Sequence, residues 1–251
     1  MTPRMTLNHL NFEVTDNNEP KQLLNDLNLT INPGEFVVLL GANGAGKSTF
    51  FNTIAGDLTP TSGQLLFNDH DITKQSAQQR TRLISRVYQD PKLGTAADMT
   101  VAENILLAMR RGQRRRLFPR RLKQQLPQIK ALAKTLPNHL DQQLNRPVSN
   151  LSGGQRQTLN FLMATIQKPE LLLLDEHTSA LDAVSSQALM TFTNQTIRDN
   201  QLTCLMITHD LEDALQYGNR LLVLKAGKLI ANLNATEKQA LTVDTLLDYL
   251  N

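Results

Sequence analysis

The chain has 251 residues, enough to bury a substantial core, and 40% hydrophobic against 20% charged residues is typical of a globular protein rather than a disordered or fibrous one. Its single cysteine, Cys204, excludes an intramolecular disulfide framework. No apolar run approaches the ~18 residues needed to span a bilayer, and the first residues lack a continuous apolar core. We therefore expect no secretory signal, and any membrane role would be exerted through a partner.

The positive charge is concentrated in one segment. The chain carries 26 basic and 23 acidic residues, and eight of the bases lie between Arg110 and Lys123, which leaves 18 bases against 23 acids elsewhere. The segment predicts either a solvated, mobile stretch or a surface for anionic lipid headgroups or an acidic partner. Nucleic acid is not expected as a partner, because the remaining chain is acidic and only 4% of the residues are aromatic.

Apolar runs and turn residues predict strands that alternate with helices. Continuous apolar strands in such an alternation are typical of a parallel sheet covered by helices on both faces, so we predict an α/β fold. The interval from about 90 to 165 shows no strand pattern and predicts a helical insertion. The predicted strands are 27–31, 35–40, 63–67, 84–88, 171–174, 203–207 and 220–224. The predicted helices are 49–55, 100–111, 120–136 (broken by Pro127), 152–167 and 242–250, the last with a packing role only.

A glycine-rich loop after the strand 35–40 matches the phosphate-binding pattern G-x-x-x-x-G-K-[ST] at every fixed position. Glycines allow the backbone to approach an anion closely, and the following helix adds its positive N-terminal end. Lys47 can bridge the outer phosphates and the Ser48 hydroxyl can ligate Mg²⁺. The predicted nucleotide-binding residues are Gly41, Ala42, Asn43, Gly44, Ala45, Gly46, Lys47, Ser48 and Thr49.

Two carboxylates follow the apolar strand 171–174. Ligands of open α/β sheets bind at the carboxyl ends of the strands, so Asp175 and Glu176 are expected in the same site as the glycine-rich loop. Asp175 can hold Mg²⁺ through its water shell. Glu176 can orient an attacking water or accept its proton, which predicts a catalytic role.

The sequence Leu-Ser-Gly-Gly-Gln at 151–155 lies just over 100 residues after Lys47. Its Ser152 and Gln155 form a capping-box pattern, so Ser152, Gly153, Gly154 and Gln155 predict an anion site at a helix start. Here the chain resembles the ATP-binding subunits of ABC transporters, whose signature has this sequence. The resemblance covers residues 7 to 250.

The resemblance implies further site residues. Gln89 would bind Mg²⁺ together with Ser48 and Asp175. His209 would contact the γ-phosphate and act in catalysis with Glu176 and Lys47. Asp182 would lie in a loop that crosses a dimer. It also implies that two copies bind head to tail around two ATP·Mg²⁺, each signature completing the partner's site.

The resemblance also specifies an architecture. We expect a P-loop NTPase core with a mostly parallel sheet, an N-terminal antiparallel β part and a helical subdomain. The chain would be a single ATP-binding domain over residues 1–251, with the core at about 1–89 and 166–251 and the helical subdomain at about 90–165.

Two positions depart from the family pattern. An aromatic residue that stacks on adenine is usual near the end of the first strand; the aligned residue is Val14, and Phe12 on the same strand face can either substitute for it or be a core residue. The usual D-E-P-T is Asp175-Glu176-His177-Thr178 here, so His177 either tunes Glu176 or marks a subfamily. This sequence, with the residues after Gln89, is similar to ATPases of amino-acid-type importers such as those for tryptophan or tyrosine.

The resulting hypothesis is an ATPase subunit on the cytoplasmic face of the cell membrane. It would drive solute import, with an amino acid as a candidate cargo, through separate permease subunits, and an extracellular solute-binding protein would take part indirectly. The alternatives are an exporter ATPase, a non-transport ATPase of the same superfamily that acts on nucleic acid or ribosomes, and a regulatory module without catalysis. The length of the segment between Lys47 and Leu151 and the presence of a single cassette disfavour the non-transport types.

Overall fold

The computed structural model describes residues 2–16, 19–112 and 122–250. Two sheets and a group of helices make up this part of the chain. The strands are β1 (Met5–Asp16), β2 (Glu19–Ile31), β3 (Phe36–Leu40), β4 (Ser62–Phe67), β5 (His70–Asp71), β6 (Ile84–Val87), β7 (Leu171–Asp175), β8 (Cys204–Ile207), β9 (Arg220–Lys225) and β10 (Lys228–Leu233). The helices are α1 (Lys47–Ala55), α2 (Ala77–Arg80), α3 (Val101–Ala108), α4 (Leu122–Lys134), α5 (Gly153–Thr165), α6 (Ala183–Asp199), α7 (Leu211–Gln216), α8 (Ala235–Gln239) and α9 (Val243–Leu250), with short 3₁₀ segments at Pro137–Gln142 and Val148–Asn150.

The larger sheet has the strand order β10-β9-β3-β8-β7-β6. Its five strands from β9 to β6 are parallel, and β10 adds an antiparallel edge. Because every residue of β3 and β8 is buried, these strands are apolar without alternation, as expected for a sheet covered on both faces. The smaller sheet, β2-β1-β4-β5, is antiparallel. The predicted α/β class, with a mostly parallel core and an N-terminal antiparallel part, is confirmed.

Three hydrophobic clusters hold these layers together. The first lies between the two sheets and α1, and the second between the larger sheet and α5, α6, α7 and α9. The third belongs to α3, α4, α5 and the 3₁₀ segments between them. In the described part of the interval 90–165 the chain forms helices and turns, as the sequence predicted; the subdomain boundaries and the single-domain assignment remain predictions.

Pro127 does not break α4, contrary to the sequence prediction. A proline removes one helical N–H and the bond that this group would donate to the carbonyl four residues earlier. Here that carbonyl belongs to Lys123, in the first turn of the helix as the structure describes it. The loss is therefore confined to one end, while Ile129 and Ala133 pack into the third cluster and keep the helix in place.

The basic segment is described only at its two ends, since residues 113–121 lie outside the described residues. Arg111 belongs to the structure rather than to a solvated charge run. Its guanidinium donates to the carbonyls of Ala164 and Gln167, each at 3.3 Å, and burial lowers its pKa. A cation at these carbonyls satisfies the C-terminal end of α5. The prediction of a membrane-facing surface concerns residues that lie mostly outside the described part.

Candidate nucleotide and catalytic site

Four strand ends meet at one edge of the larger sheet. The strands β3, β8, β7 and β6 are neighbours and run in parallel, so their carboxyl ends lie side by side. The glycine-rich loop follows β3, His209 follows β8 and Gln89 follows β6. Asp175 is the last residue of β7, and Glu176 is the next residue in the chain. Residues far apart in sequence thereby converge at the edge where open α/β sheets bind ligands.

The glycine-rich loop has a backbone that only glycine accommodates well. Gly46 is the residue before α1 and has φ +104°, a left-handed conformation, and a Cβ there would lie 2.6 Å from the carbonyl oxygen of Leu23. At Gly41 a Cβ would lie 2.5 Å from the Leu224 carbonyl oxygen. The Gly227 N–H donates to the Ala45 carbonyl at 2.9 Å and fixes the loop to the β9–β10 turn. The loop therefore leads directly into the N-terminal end of α1, whose unpaired N–H groups attract anions.

Lys47 folds back over this loop. Its ammonium donates to the carbonyl of Gly41 at 2.6 Å and to that of Ala42 at 3.1 Å, and the side chain is largely buried. Burial lowers the pKa of Lys47, while the nearby charges of Glu176 and Asp175 oppose this shift. The carboxylates thus help to keep a cation at the loop. Ser48 is exposed in the first turn of the same helix.

Glu176 is the centre of a polar cluster. Its Oε2 lies 3.2 Å from Nδ1 of His209 and accepts a hydrogen bond from Nε2 of Gln89 at 3.3 Å. The Gln89 amide also donates to the Ser179 hydroxyl at 3.2 Å, and that hydroxyl donates to the Glu176 carbonyl at 2.9 Å. The backbone of Glu176 is left-handed, with φ +43°, which is costly outside glycine and is found preferentially at functional sites. A carboxylate, an imidazole and an amide are therefore brought together as the sequence predicted.

Asp175 is the acid beside this cluster, and its carboxylate is paired. Arg86 donates from Nη2 to Oδ2 of Asp175 at 2.5 Å. The role of Arg86 was not predicted from the sequence, because a basic residue within a short strand gives no sign of which side chains it contacts. The only signal was its position three residues before Gln89.

Ser48, Gln89 and Asp175 offer a hydroxyl, an amide and a carboxylate oxygen, the hard donors that Mg²⁺ prefers. In the described ranges no group of three or more His, Cys, Asp and Glu residues could hold a metal on its own. The set therefore fits an ion that takes most of its ligands from phosphates and water, as Mg²⁺ usually does at nucleotide sites.

His177 turns away from Glu176. It is buried, its Nε2 lies 3.2 Å from the Thr193 hydroxyl of α6, and its ring stacks on Phe161 of α5 at 6.3 Å between centroids. Burial lowers the pKa of His177 to about 4. A neutral ring held between two helices does not tune the Glu176 carboxylate. The interpretation that His177 tunes Glu176 is therefore wrong, and His177 is a packing residue.

The residues Leu151–Gln155 start α5 as predicted. The Ser152 hydroxyl accepts from the Gln155 N–H at 3.2 Å, and the Gln155 side chain accepts from the Ser152 N–H at 3.2 Å. A Cβ on Gly154 would lie 3.2 Å from the Ser185 side chain. Asp182 caps α6 by accepting from the Ser185 N–H at 3.0 Å, and this hydrogen bond lowers its pKa. The helix start and the Asp182 loop thus lie together on one exposed face.

The segment 88–95, which includes Gln89, is hydrogen-bonded to α5 at three points. Gln157 donates to the Tyr88 carbonyl at 2.8 Å and Asn160 to the Pro91 carbonyl at 3.0 Å. Arg156 donates to the Thr95 hydroxyl at 2.7 Å. Hydrogen bonds therefore link the segment 90–95 to α5, the helix capped by Ser152.

Phe12 packs, partly buried, against the first hydrophobic cluster. Its pairing with Leu24 in the small sheet gives it a core role. Adenine contact by Phe12 or Val14 remains a prediction, and so do the chemical roles of the other site residues.

Comparison with known proteins decides the family. The family model described as "ABC transporter" matches residues 24–179, which include the glycine-rich loop, Leu151–Gln155 and Glu176. The chain belongs to the ABC transporter family. It is therefore an ATP-binding protein and an ATPase subunit of transporters, as predicted.

Among its relatives, the tyrosine transport ATP-binding protein of Clostridioides difficile is 40% identical over 230 residues, which are 92% of this chain and 91% of the relative. The sulfate/thiosulfate import ATP-binding protein of Nitrosomonas europaea is 36% identical over 208 residues, 82% of this chain but 55% of the relative.

Solved structures of this family share the fold. The dimeric post-hydrolysis state of the ATP-binding cassette MJ0796, bound to ADP and Pi, has a TM-score of 0.76 at 25% identity and covers 92% of this chain and 98% of its own. CbiO1 from Clostridium perfringens, part of the cbiONQ transporter complex, has a TM-score of 0.77 at 24% identity, with coverages of 94% and 90%. In the described residues of our chain, no helix has both the length and the apolar character to cross a membrane.

Proposed function

We propose that this ATPase works as a head-to-tail homodimer that closes around two ATP·Mg²⁺ and drives solute import through separate permease subunits. It would bind these subunits at the cytoplasmic face of the membrane, and an extracellular solute-binding protein would take part indirectly. The cluster of Glu176, Gln89 and His209 beside the phosphate loop carries the proposal. In this proposal Glu176 is the general base, and Gln89 and His209 are the amide and imidazole beside the γ-phosphate of bound ATP; the contacts of both side chains with Glu176 support it.

In hydrolysis, a water attacks the γ-phosphorus, the bond to the bridging oxygen of ADP breaks, and the water proton moves to Glu176. Lys47 and the loop amides hold the phosphates, and His209 holds the γ-phosphate. Positioning and electrostatic stabilisation supply most of the catalysis in phosphoryl transfer. When bound through Ser48, Gln89 and the waters at Asp175, Mg²⁺ would neutralise phosphate charge.

The dimer proposal rests on where the second anion site lies. The start of α5 presents Ser152 and Gly153 to solvent, next to the exposed Asp182 loop and Val184, whose side chain is 81% exposed. In the same chain the phosphate loop lies on a different element, after β3. A second copy related by a two-fold rotation would bring each signature to the other's loop. The MJ0796 cassette, whose solved structures are dimeric, supports a dimer.

The permease contact is proposed for the segment that follows Gln89. Leu93 exposes 68% of its surface and so offers an apolar side chain to a partner. Because this segment is hydrogen-bonded to α5, a partner bound to it would be linked to the nucleotide site. Import, rather than export, is supported by relatives named for the import of sulfate, spermidine or putrescine, and thiamine. The tyrosine relative supports an amino acid as cargo.

Glu176→Gln tests the catalytic role and the dimer together. We expect hydrolysis to fall by about 10²–10⁴-fold because the general base is lost. ATP binding should be retained, because removing a negative charge beside the loop does not disfavour a bound triphosphate. Sedimentation should then show an ATP-dependent dimer, which the additional substitution Ser152→Glu abolishes. Glu170→Gln is the matched control, since Glu170 directly precedes the other end of β7 and pairs with Arg4. Unchanged hydrolysis in Glu176→Gln would refute the catalytic role, and a monomer with bound ATP would refute the dimer.

Transport direction needs the membrane subunits. We expect proteoliposomes that carry the permease with the ATPase and ATP on one side to move labelled tyrosine toward that side. Movement in the opposite direction would identify an exporter. No movement of any amino acid, with coupled ATP hydrolysis intact, would exclude this cargo class.

A further inference from the structure

Arg86 connects the metal-binding acid to the helix that follows the phosphate loop. Its Nη2 donates to Asp175, while its Nη1 donates to Oδ1 of Asn52 at 2.7 Å and lies 3.2 Å from Oδ2 of Asp57. Asn52 belongs to α1, the helix that begins at Lys47, and Asp57 follows that helix. One guanidinium therefore spans the two elements that would supply Ser48 and Asp175 to Mg²⁺.

The strand register explains this reach. Arg86 of β6 lies opposite Leu173 of β7, and Asp175, two residues further along, is on the same face of the sheet. The α1 residue Phe51 packs against that face in the first hydrophobic cluster. The position on β6 therefore directs the arginine into the space between α1 and the end of β7.

The guanidinium is held in a fixed position. The Arg86 side chain is only 11% exposed, and its central carbon lies 4.8 Å from the ring centre of Tyr88 and 6.0 Å from that of Phe51. Two aromatic rings and three polar partners leave this side chain little freedom. Because a planar guanidinium offers a rigid fork of donors, it can bind Asn52 and Asp175 at once, whereas a lysine could not.

We propose that Arg86 is a positioning residue for the Mg²⁺ site. It holds Oδ2 of Asp175 and leaves Oδ1 to face the water shell of the ion. It also couples the orientation of Asp175 to α1, which carries Ser48, and through Tyr88 to Gln89. This inference rests on the proposed function, since it assumes that Asp175 serves a magnesium ion.

A purely structural role for Arg86 and a positioning role predict different results. Removing one partner of a buried ion pair is strongly destabilising, so a purely structural role predicts that Arg86→Met lowers the free energy of unfolding without a separate loss of metal affinity in the folded protein. Outer-shell partners that fix a ligating carboxylate, by contrast, typically contribute 10–100-fold to metal affinity or activity. The two roles therefore predict different responses of metal binding to substitution of Arg86.

The test measures Mn²⁺ binding by electron paramagnetic resonance, with the protein saturated by a non-hydrolysable ATP analogue. We expect Arg86→Met to weaken Mn²⁺ binding by about 10-fold or more, with affinity for the metal-free analogue unchanged. Arg86→Lys should recover part of the metal affinity, because its ammonium can still pair with Asp175. If Arg86→Met does not fold, Arg86→Gln serves in the same comparison.

Arg220→Met is the matched control. Arg220 pairs with Glu35 at 2.9 Å, has a side chain that is 16% exposed, and lies at the amino end of β9, the opposite edge of the sheet from the site. We expect it to leave Mn²⁺ binding unchanged. Wild-type or tighter Mn²⁺ binding in Arg86→Met overturns the inference. If the wild-type protein with bound analogue takes up no Mn²⁺, the proposed metal site itself fails, and the inference with it.

Discussion

His209 and Glu176, which are 33 residues apart in sequence, lie with Nδ1 and Oε2 3.2 Å apart at the ends of neighbouring parallel strands. The Glu176 carboxylate is mostly shielded, whereas the His209 imidazole is more than half exposed. The pair therefore has one shielded member, held by hydrogen bonds, and one exposed member that can reach a ligand.

His209→Asn tests the exposed member of this pair. We expect ATP hydrolysis to fall by about 10²-fold, as for the loss of one positioned contact to a developing charge, with little change in ATP affinity. His9→Asn is the control, because His9 also pairs with a carboxylate, that of Asp26 at 2.7 Å, but on the surface of the small sheet. Equal activities of the two variants would show that His209 has no catalytic role.

The convergence of these residues could be predicted from the sequence, but not all of their surroundings. Asp175, Glu176 and His209 each follow an apolar run that predicts a strand. Because the carboxyl ends of parallel strands lie along one edge of the sheet, these residues are expected together at that edge. Arg86 and Arg111 escaped prediction because their partners, Asp175 and the C-terminal carbonyls of α5, are distant in sequence and are set by packing.

The same limit applies to backbone elements. The helix α6 was not predicted, although Asp182 is a standard N-cap, because its buried residues Leu189, Met190 and Ile197 are spaced widely among polar ones. Pro127 was overweighted as a helix breaker, since local propensity does not count the contacts of Ile129 and Ala133 that hold α4 together.

The two left-handed glycines of the phosphate loop should differ in their tolerance of a side chain. Gly44 has φ +81°, and a Cβ at this position would meet nothing within 4 Å in the described part of the chain. Gly44→Ala should therefore cost about 1 kcal/mol of unfolding free energy, the cost of left-handed backbone alone. Gly46→Ala adds a contact of 2.6 Å with the Leu23 carbonyl oxygen and should cost at least about 2 kcal/mol. Denaturant unfolding measures both, and equal losses would mean that the loop relaxes around the new methyl group.

Asp213 should destabilise the protein at neutral pH. Burial, and then the negative charges of Asp210 and Glu212, raise the pKa of Asp213 to about 6 from 3.8, while His209 acts in the opposite direction. The folded state thus holds this proton more tightly, so its contribution to stability declines as the pH rises from about 4 to 6 and stays unfavourable above. Because the group is partly exposed, we expect Asp213→Asn to add only about 1 kcal/mol at pH 7.5 and nothing near pH 3.5. Urea unfolding of both proteins at the two pH values provides the measurement; a variant less stable at pH 7.5 would contradict the prediction.

His177 should make the protein sensitive to mild acid. In the unfolded chain an imidazole titrates near 6.5, whereas burial between Phe161 and Thr193 lowers its pKa to about 4 in the folded protein. Between these values the unfolded state binds a proton that the folded state does not. The stability present above pH 6.5 is therefore lost as the pH falls toward 4, by up to about 3 kcal/mol.

His177→Gln removes this titration while keeping a side chain that can bond to Thr193. Its unfolding free energy should fall less between pH 7 and pH 4 than that of the wild type, as measured by urea unfolding across this range. His70→Gln, at an exposed histidine, is the matched control and should follow the wild-type curve. If His177→Gln also follows that curve, His177 takes up its proton without unfolding, and its place between α5 and α6 must admit a charged ring.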